Sequence, residues 1–148
     1  VKVLAVITGI VAVVVLARAC SSPDDPRKFI ADTYQRTSSL DEGQLRAYLA
    51  RGKGPHAVAT EISAEVQPID RRSVPDPAGA NADDAVFLQY GDQIVAVFAH
   101  EGGSRVMVGE YRAARSHYIA FIGGYWPATP SYGGTGSGNR GGGSGTGK

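Results

Sequence analysis

Catalysis and metal binding need side chains that attack, exchange protons or hold ions. In this chain of 148 residues they are few: one cysteine and three histidines. Cys20 stands in L-A-R-A-C-S-S-P, residues 16–23, directly after an uncharged apolar run. A thiol at that boundary suits acylation, so Cys20 is a candidate lipidation site. The small side chains of Ala17 and Ala19 fit a signal-peptidase cleft and place a candidate cut just before it. His56, His100 and His117 are isolated in sequence, and none belongs to an H-x-x-x-H or H-E-x-x-H pair that would chelate a metal. His100-Glu101 is an adjacent acid–base pair. With the Pro- and Asp-rich stretch from Ser73 to Asp84, it marks where an enzyme or ligand binder would build its site. Tyr125-Trp126, aromatic residues with polar handles, suit either the last core contact or an interface.

Other patterns carry little chemistry. Gly136, Gly138 and Gly141 spell G-x-G-x-x-G, but the dinucleotide fold needs that motif between a strand and a helix, and here it lies in a tract made mostly of glycine. With one cysteine no intrachain disulfide or C-x-x-C motif exists. No G-x-S-x-G elbow is present. Glu61 and Glu65 at i,i+4 repel mildly and mark an exposed helix edge. Asp76, Asp83 and Asp84 lack the ladder of a calcium loop. No catalytic constellation, cofactor site or metal site is expected, and the chain reads as a non-enzyme. A product starting at Cys20 keeps 13 basic against 14 acidic side chains, which argues against nucleic acid as a partner.

The elements that must position these residues follow from periodicity. Residues 3–16 are uncharged and preceded by Lys2, the pattern of an export signal. As a helix they span about 21 Å, short of the roughly 30 Å bilayer core. Segment 1–19 is thus a signal peptide, or a signal anchor with Arg18 at the interface, and 20–25 is a tether. A domain is expected over 26–126. Its first helix is capped by Asp25 with Pro26 at the first position, and a weak strand covers 44–50. A second helix spans 55–66 before Pro68, with Val58, Ile62 and Val66 inward. Residues 73–84 read as a loop. The stretch AVFLQYGDQIVAVFA, residues 85–99, reads as a hairpin turning at Gly91-Asp92. Pairing Tyr90 with Gln93 puts Val86, Leu88, Val95 and Val97 on one face and Phe87, Ile94 and Phe98 on the other, so helices or a partner must cover both. A third strand over 105–109 leads to a helix over 111–122 with Tyr111, Ala114, Tyr118 and Ile122 inward. The expected class is α+β: a small antiparallel sheet, a β-meander plus one further strand, with about three helices. Residues 127–148 read as a disordered, Gly/Ser-rich tail.

The blocks TYQRTSSLD (33–41), VFLQYGDQIVAV (86–97) and GGSRVMVGEYR (102–112), followed by the Gly-rich tail, resemble an actinobacterial member of the domain-of-unknown-function family 4247. The resemblance implies a small bacterial envelope protein with a signal and a lipobox-like cysteine. It supplies no activity and no functional residues; as partners it implies neighbouring small membrane proteins. The expectation is a non-enzymatic domain held on the extracytoplasmic face of the cell membrane through its amino terminus. The alternative is an envelope enzyme or small-ligand binder with a site near 73–84 and His100-Glu101.

Overall fold

The computed structural model describes residues 25–76, 78 and 84–129. Helix α1 (Pro26–Thr33) starts where Asp25 accepts the Arg27 amide at 2.9 Å, with Pro26 at the first position, and it stops at extended Tyr34. Strand β1 (Gln35–Arg36) and a 3₁₀ turn (Ser38–Leu40) lead to β2 (Arg46–Arg51). Helix α2 (Pro55–Glu65) buries Val58, Ala59 and Ile62, one stripe at helical spacing. Strands β3 (Asp70–Pro75), β4 (Asp84–Gln89), β5 (Gln93–His100) and β6 (Gly103–Glu110) then run as a meander into α3 (Tyr111–His117) and α4 (Ile119–Ile122).

The six strands form one antiparallel sheet in the order β1-β2-β6-β5-β4-β3. The hairpin register is the one alternation dictates: Val86 faces Val97, Leu88 faces Val95, and Tyr90 donates its amide to the Gln93 carbonyl at 2.9 Å. Both faces are closed. Val86, Leu88, Val95, Val97, Val106 and Val108 pack under α1 and α2 with Ile30, Val58 and Ile62. Phe87, Ile94, Phe98 and Met107 pack under α3 and α4 with Tyr118, Ile122 and Trp126. Each buried aliphatic or Phe side chain contributes about 1.5–3 kcal/mol, so these two layers hold the domain. The α+β class stands as expected.

Three elements differ from the sequence expectation. Residues 70–75 form a full strand, so Ser73, Val74 and Pro75 pair with Val86, Ala85 and Asp84 rather than opening a loop. The strand is polar because it is a sheet edge, where pairing on one side suffices and Pro75 is tolerated. Gln35–Arg36 adds a sixth strand too short to show a pattern. The last helix breaks at Tyr118 (φ −102°, ψ 26°), where two short helices meet. At the β5–β6 turn, Glu101 (φ 40°) and Gly102 (φ 74°) both lie in the left-handed region, as a two-residue type I′ turn requires.

Candidate functional site

The strands end in two rims. Asp70, Gln89, Gln93, Glu110 and Arg46 lie at one, and Pro75, Asp84, His100, Gly103 and Arg51 at the other. The first, the near rim, is where the described chain enters and leaves. Asp25 accepts from Gln93 Nε2 at 3.1 Å, and the Pro127 carbonyl accepts from the Tyr111 hydroxyl at 2.8 Å. Tyr111 in turn donates its amide to the Asp92 carbonyl.

At the far rim a cleft of about 500 Å³ is lined by Lys53, Pro55, Ala78, His100, Glu101 and neighbouring glycines. The structure therefore brings part of the 73–84 segment, at Ala78, beside His100-Glu101. Ser73 is not part of the cleft lining. Lys53 Nζ sits 2.8 Å from Glu61, and the Ser104 hydroxyl donates to the Lys53 carbonyl at 2.7 Å, which ties the loop before α2 to β6. A Cβ on Gly103 would collide with the Ala50 carbonyl oxygen, so glycine lets β2 and β6 close there. His100 Nε2 lies 3.7 Å from Glu101 Oε2, beyond hydrogen-bonding range, and the Glu101 side chain is largely exposed. A histidine so placed has no oriented carboxylate and no aligned nucleophile among the described lining residues. This cleft can hold a small polar group.

The densest cluster of titratable groups lies elsewhere, on the α3–α4 side. Glu42 Oε1 takes Arg105 at 2.6 Å, and Glu42 Oε2 takes His117 Nε2 at 2.6 Å and the Tyr118 hydroxyl at 3.2 Å. Burial works to raise the Glu42 pKa, but the His117 hydrogen bond, the Arg105 charge and the Tyr118 hydroxyl outweigh it, and the net direction is down. Burial and the facing Glu42 push the Tyr118 phenol well above its ordinary value. Tyr118 is therefore a neutral donor, and Glu42 a carboxylate with both oxygens engaged. The cluster clamps the 38–45 excursion to the C-terminal helices. Sequence spacing could not reveal it, since its partners lie 63 to 76 residues apart.

Tyr125 and Trp126 part company. Trp126 is 3% exposed, packs in the α3–α4 core and donates its indole N–H to Asp70 Oδ2 at 2.8 Å. Burial acts to raise the Asp70 pKa, and the Trp126, Arg72 and Arg71 hydrogen bonds overcome it, leaving it lowered. Tyr125 is 57% exposed, with the Arg72 guanidinium 4.9 Å from its ring centre. Cys20, Ala17 and Ala19 lie outside the described residues, as does all but the first part of the 127–148 segment. Among the described residues no helix is long and apolar enough to cross a membrane, and no group of three or more His, Cys, Asp or Glu side chains is placed to hold a metal.

The fold and these contacts define a small two-sided α+β domain with a clamped C-terminal layer. The family model described as "Domain of unknown function (DUF4247)" matches residues 13–144, and the chain belongs to that family. No curated protein and no solved structure matches it.

Proposed function

We propose that this protein is a non-enzymatic, membrane-tethered extracytoplasmic domain of the bacterial cell envelope that serves as an interaction module for neighbouring small membrane proteins. One observation carries it: Asp25, at the end of the tether, and Pro127, at the start of the tail, sit on the same rim. A domain held there presents its opposite rim, with the His100 cleft, to other envelope components, while a cleft of about 510 Å³ lined by Asp25, Arg46 and Glu110 stays at the tethered rim. The apolar 3–16 run and the A-x-A-C stretch at 17–20 supply the tether in this proposal. The test is fractionation of the full-length chain. Wild type floats with membranes and is cut by protease added outside spheroplasts, whereas Cys20→Ala is released or accumulates as precursor. Recovery of wild type in the cytosolic fraction overturns the proposal.

A second reading rests on the far-rim cleft, which Ala78, Lys53 and His100 all line. In it the domain binds a small polar ligand. Ligand-induced perturbation of the His100 ring resonances, absent in Lys53→Ala, would select it over the first.

A further inference from the structure

We infer that the near rim lies directly on the lipid surface, with Tyr125 and Ile69 inserted at headgroup level and the His100 rim pointing away. The inference rests on the tether proposed above and goes beyond it by fixing which face the membrane covers.

The argument begins with length. From Cys20 to Asp25 the chain makes five residue steps, which reach at most about 18 Å when fully extended. The eight residues of β5 make seven steps and span about 23 Å from rim to rim. A domain anchored at Cys20 with its far rim on the membrane would need Asp25 to stand farther out than the tether can reach. Anchoring at Arg18 adds two steps, about 25 Å in all, so the inverted pose would then need the whole tether fully extended.

The choice between resting on the rim and lying on one side follows from the exposed apolar side chains. Of the three large hydrophobic residues exposed among the described ones, Ile69, Ile119 and Tyr125, Ile69 directly precedes the rim residue Asp70 and Tyr125 lies beside it against Arg72 of edge strand β3. The Ile69 amide donates to the Gln89 carbonyl at 2.7 Å, and the next residue, Asp70, accepts from Trp126, the neighbour of Tyr125. Ile119 follows Tyr118 on the Glu42 side. An exposed tyrosine beside an arginine is the amphipathic pair that settles at a bilayer interface, ring toward the acyl boundary and cation toward phosphate. Arg27, Lys28 and Arg72 at this end are already paired with Asp25, Asp32 and Asp70.

Trp126 is the single tryptophan of the chain and sits beside both residues, which makes it the reporter. The full-length protein is reconstituted into phosphatidylethanolamine/phosphatidylglycerol vesicles carrying a nitroxide-headgroup lipid, and Trp126 emission is read on the floated fraction. Wild type is quenched. The double variant Ile69→Ser/Tyr125→Ser floats equally, keeps its circular dichroism and loses more than half of the quenching, while Ile119→Ser changes nothing. Floated wild type without quenching overturns the inference, as does undiminished quenching in the folded double variant. Disulfide dimers of Tyr125→Cys on the vesicles, in place of quenching, overturn it by assigning the rim to a second copy. A chain that does not float at all removes the tether itself, an outcome read from the gradient and not from the fluorescence.

Discussion

The two faces of the sheet are both dry, yet they are held in different ways. Under α1 and α2 the sheet presents valines and a leucine, and a regular eleven-residue helix lays Val58, Ala59 and Ile62 across them. Under α3 and α4 it presents Phe87 and Phe98, which meet Tyr118 and Phe121 in edge and tilted ring contacts 5.4–6.0 Å apart. The helices there are seven and four residues long, too short to persist by their own hydrogen bonding. Side-chain pins hold them instead: Glu42 to His117 and Tyr118, Asp70 to Trp126, and Arg115 to the Trp126 carbonyl at 2.7 Å. Branched aliphatics suit a regular helix, whose contacts are spread evenly. Large rings tolerate a broken helix, provided that a few polar bonds fix its ends.

The sharpest test of this contrast is a buried charge on each face of β5. Val95→Asp puts a carboxylate among fully buried aliphatics, and it should unfold the protein outright, since the cost is comparable to the whole stability of such a domain. Phe98→Asp places it where the Arg105 guanidinium already stacks 5.2 Å from the ring centre. That variant should retain a cooperative thermal transition, lowered in midpoint. Equal unfolding by both would show that the polar pins give the aromatic face no tolerance.

Next in size, Ile62→Ala removes a fully buried side chain from the aliphatic face and should cost about 2–5 kcal/mol by denaturant titration. Trp126→Phe keeps most of the ring but deprives Asp70 of its indole donor, for about 1.5–3 kcal/mol. Its loss should appear first as faster hydrogen exchange in α3 and α4, with α2 still protected. Uniform acceleration would mean that the two layers open as one unit.

The smallest effect is acid sensitivity. Glu42 and Asp70 have lowered pKa values in the folded state, so the stability they add is complete above the ordinary carboxylate range and is lost as pH falls through the folded values. Chemical denaturation of wild type should be flat from about pH 7 to 5 and fall below about pH 4. In Glu42→Gln/Asp70→Asn the fall should be shallower and the neutral-pH stability lower.

How much of this was legible in the sequence follows the same division. The hairpin was readable residue by residue because both of its faces are apolar and Gly91-Asp92 interrupts the run. Helix α2 was readable from Pro55 and the four-residue spacing of Val58 and Ile62. Strand β3 was not, since DRRSVP is an edge with no buried alternation to display. The break at Tyr118 was hidden because Tyr111, Ala114, Tyr118 and Ile122 keep helical spacing through it, with neither proline nor glycine to mark the stop. Glu42 sits in a turn-like SSLDEG stretch, where a glutamate signals nothing about a histidine 75 residues away.

The sheet order also bears on how the chain comes together in time. Strands β4, β5 and β6 follow one another through tight turns and can zip locally, but β2 has its place beside β6, with Arg46 opposite Val108. A chain made or threaded from its amino terminus presents α1, β2 and α2 first; α2 can pack once β4 and β5 have formed, but the β2 edge that faces β6 stays unpaired until residues 103–108 have emerged. That long-range pairing must offset a loop-closing entropy that the local turns of the meander do not, which slows folding. The β2–β6 pairing is thus the contact of highest sequence separation in the sheet, and it joins the amino-terminal elements to the meander.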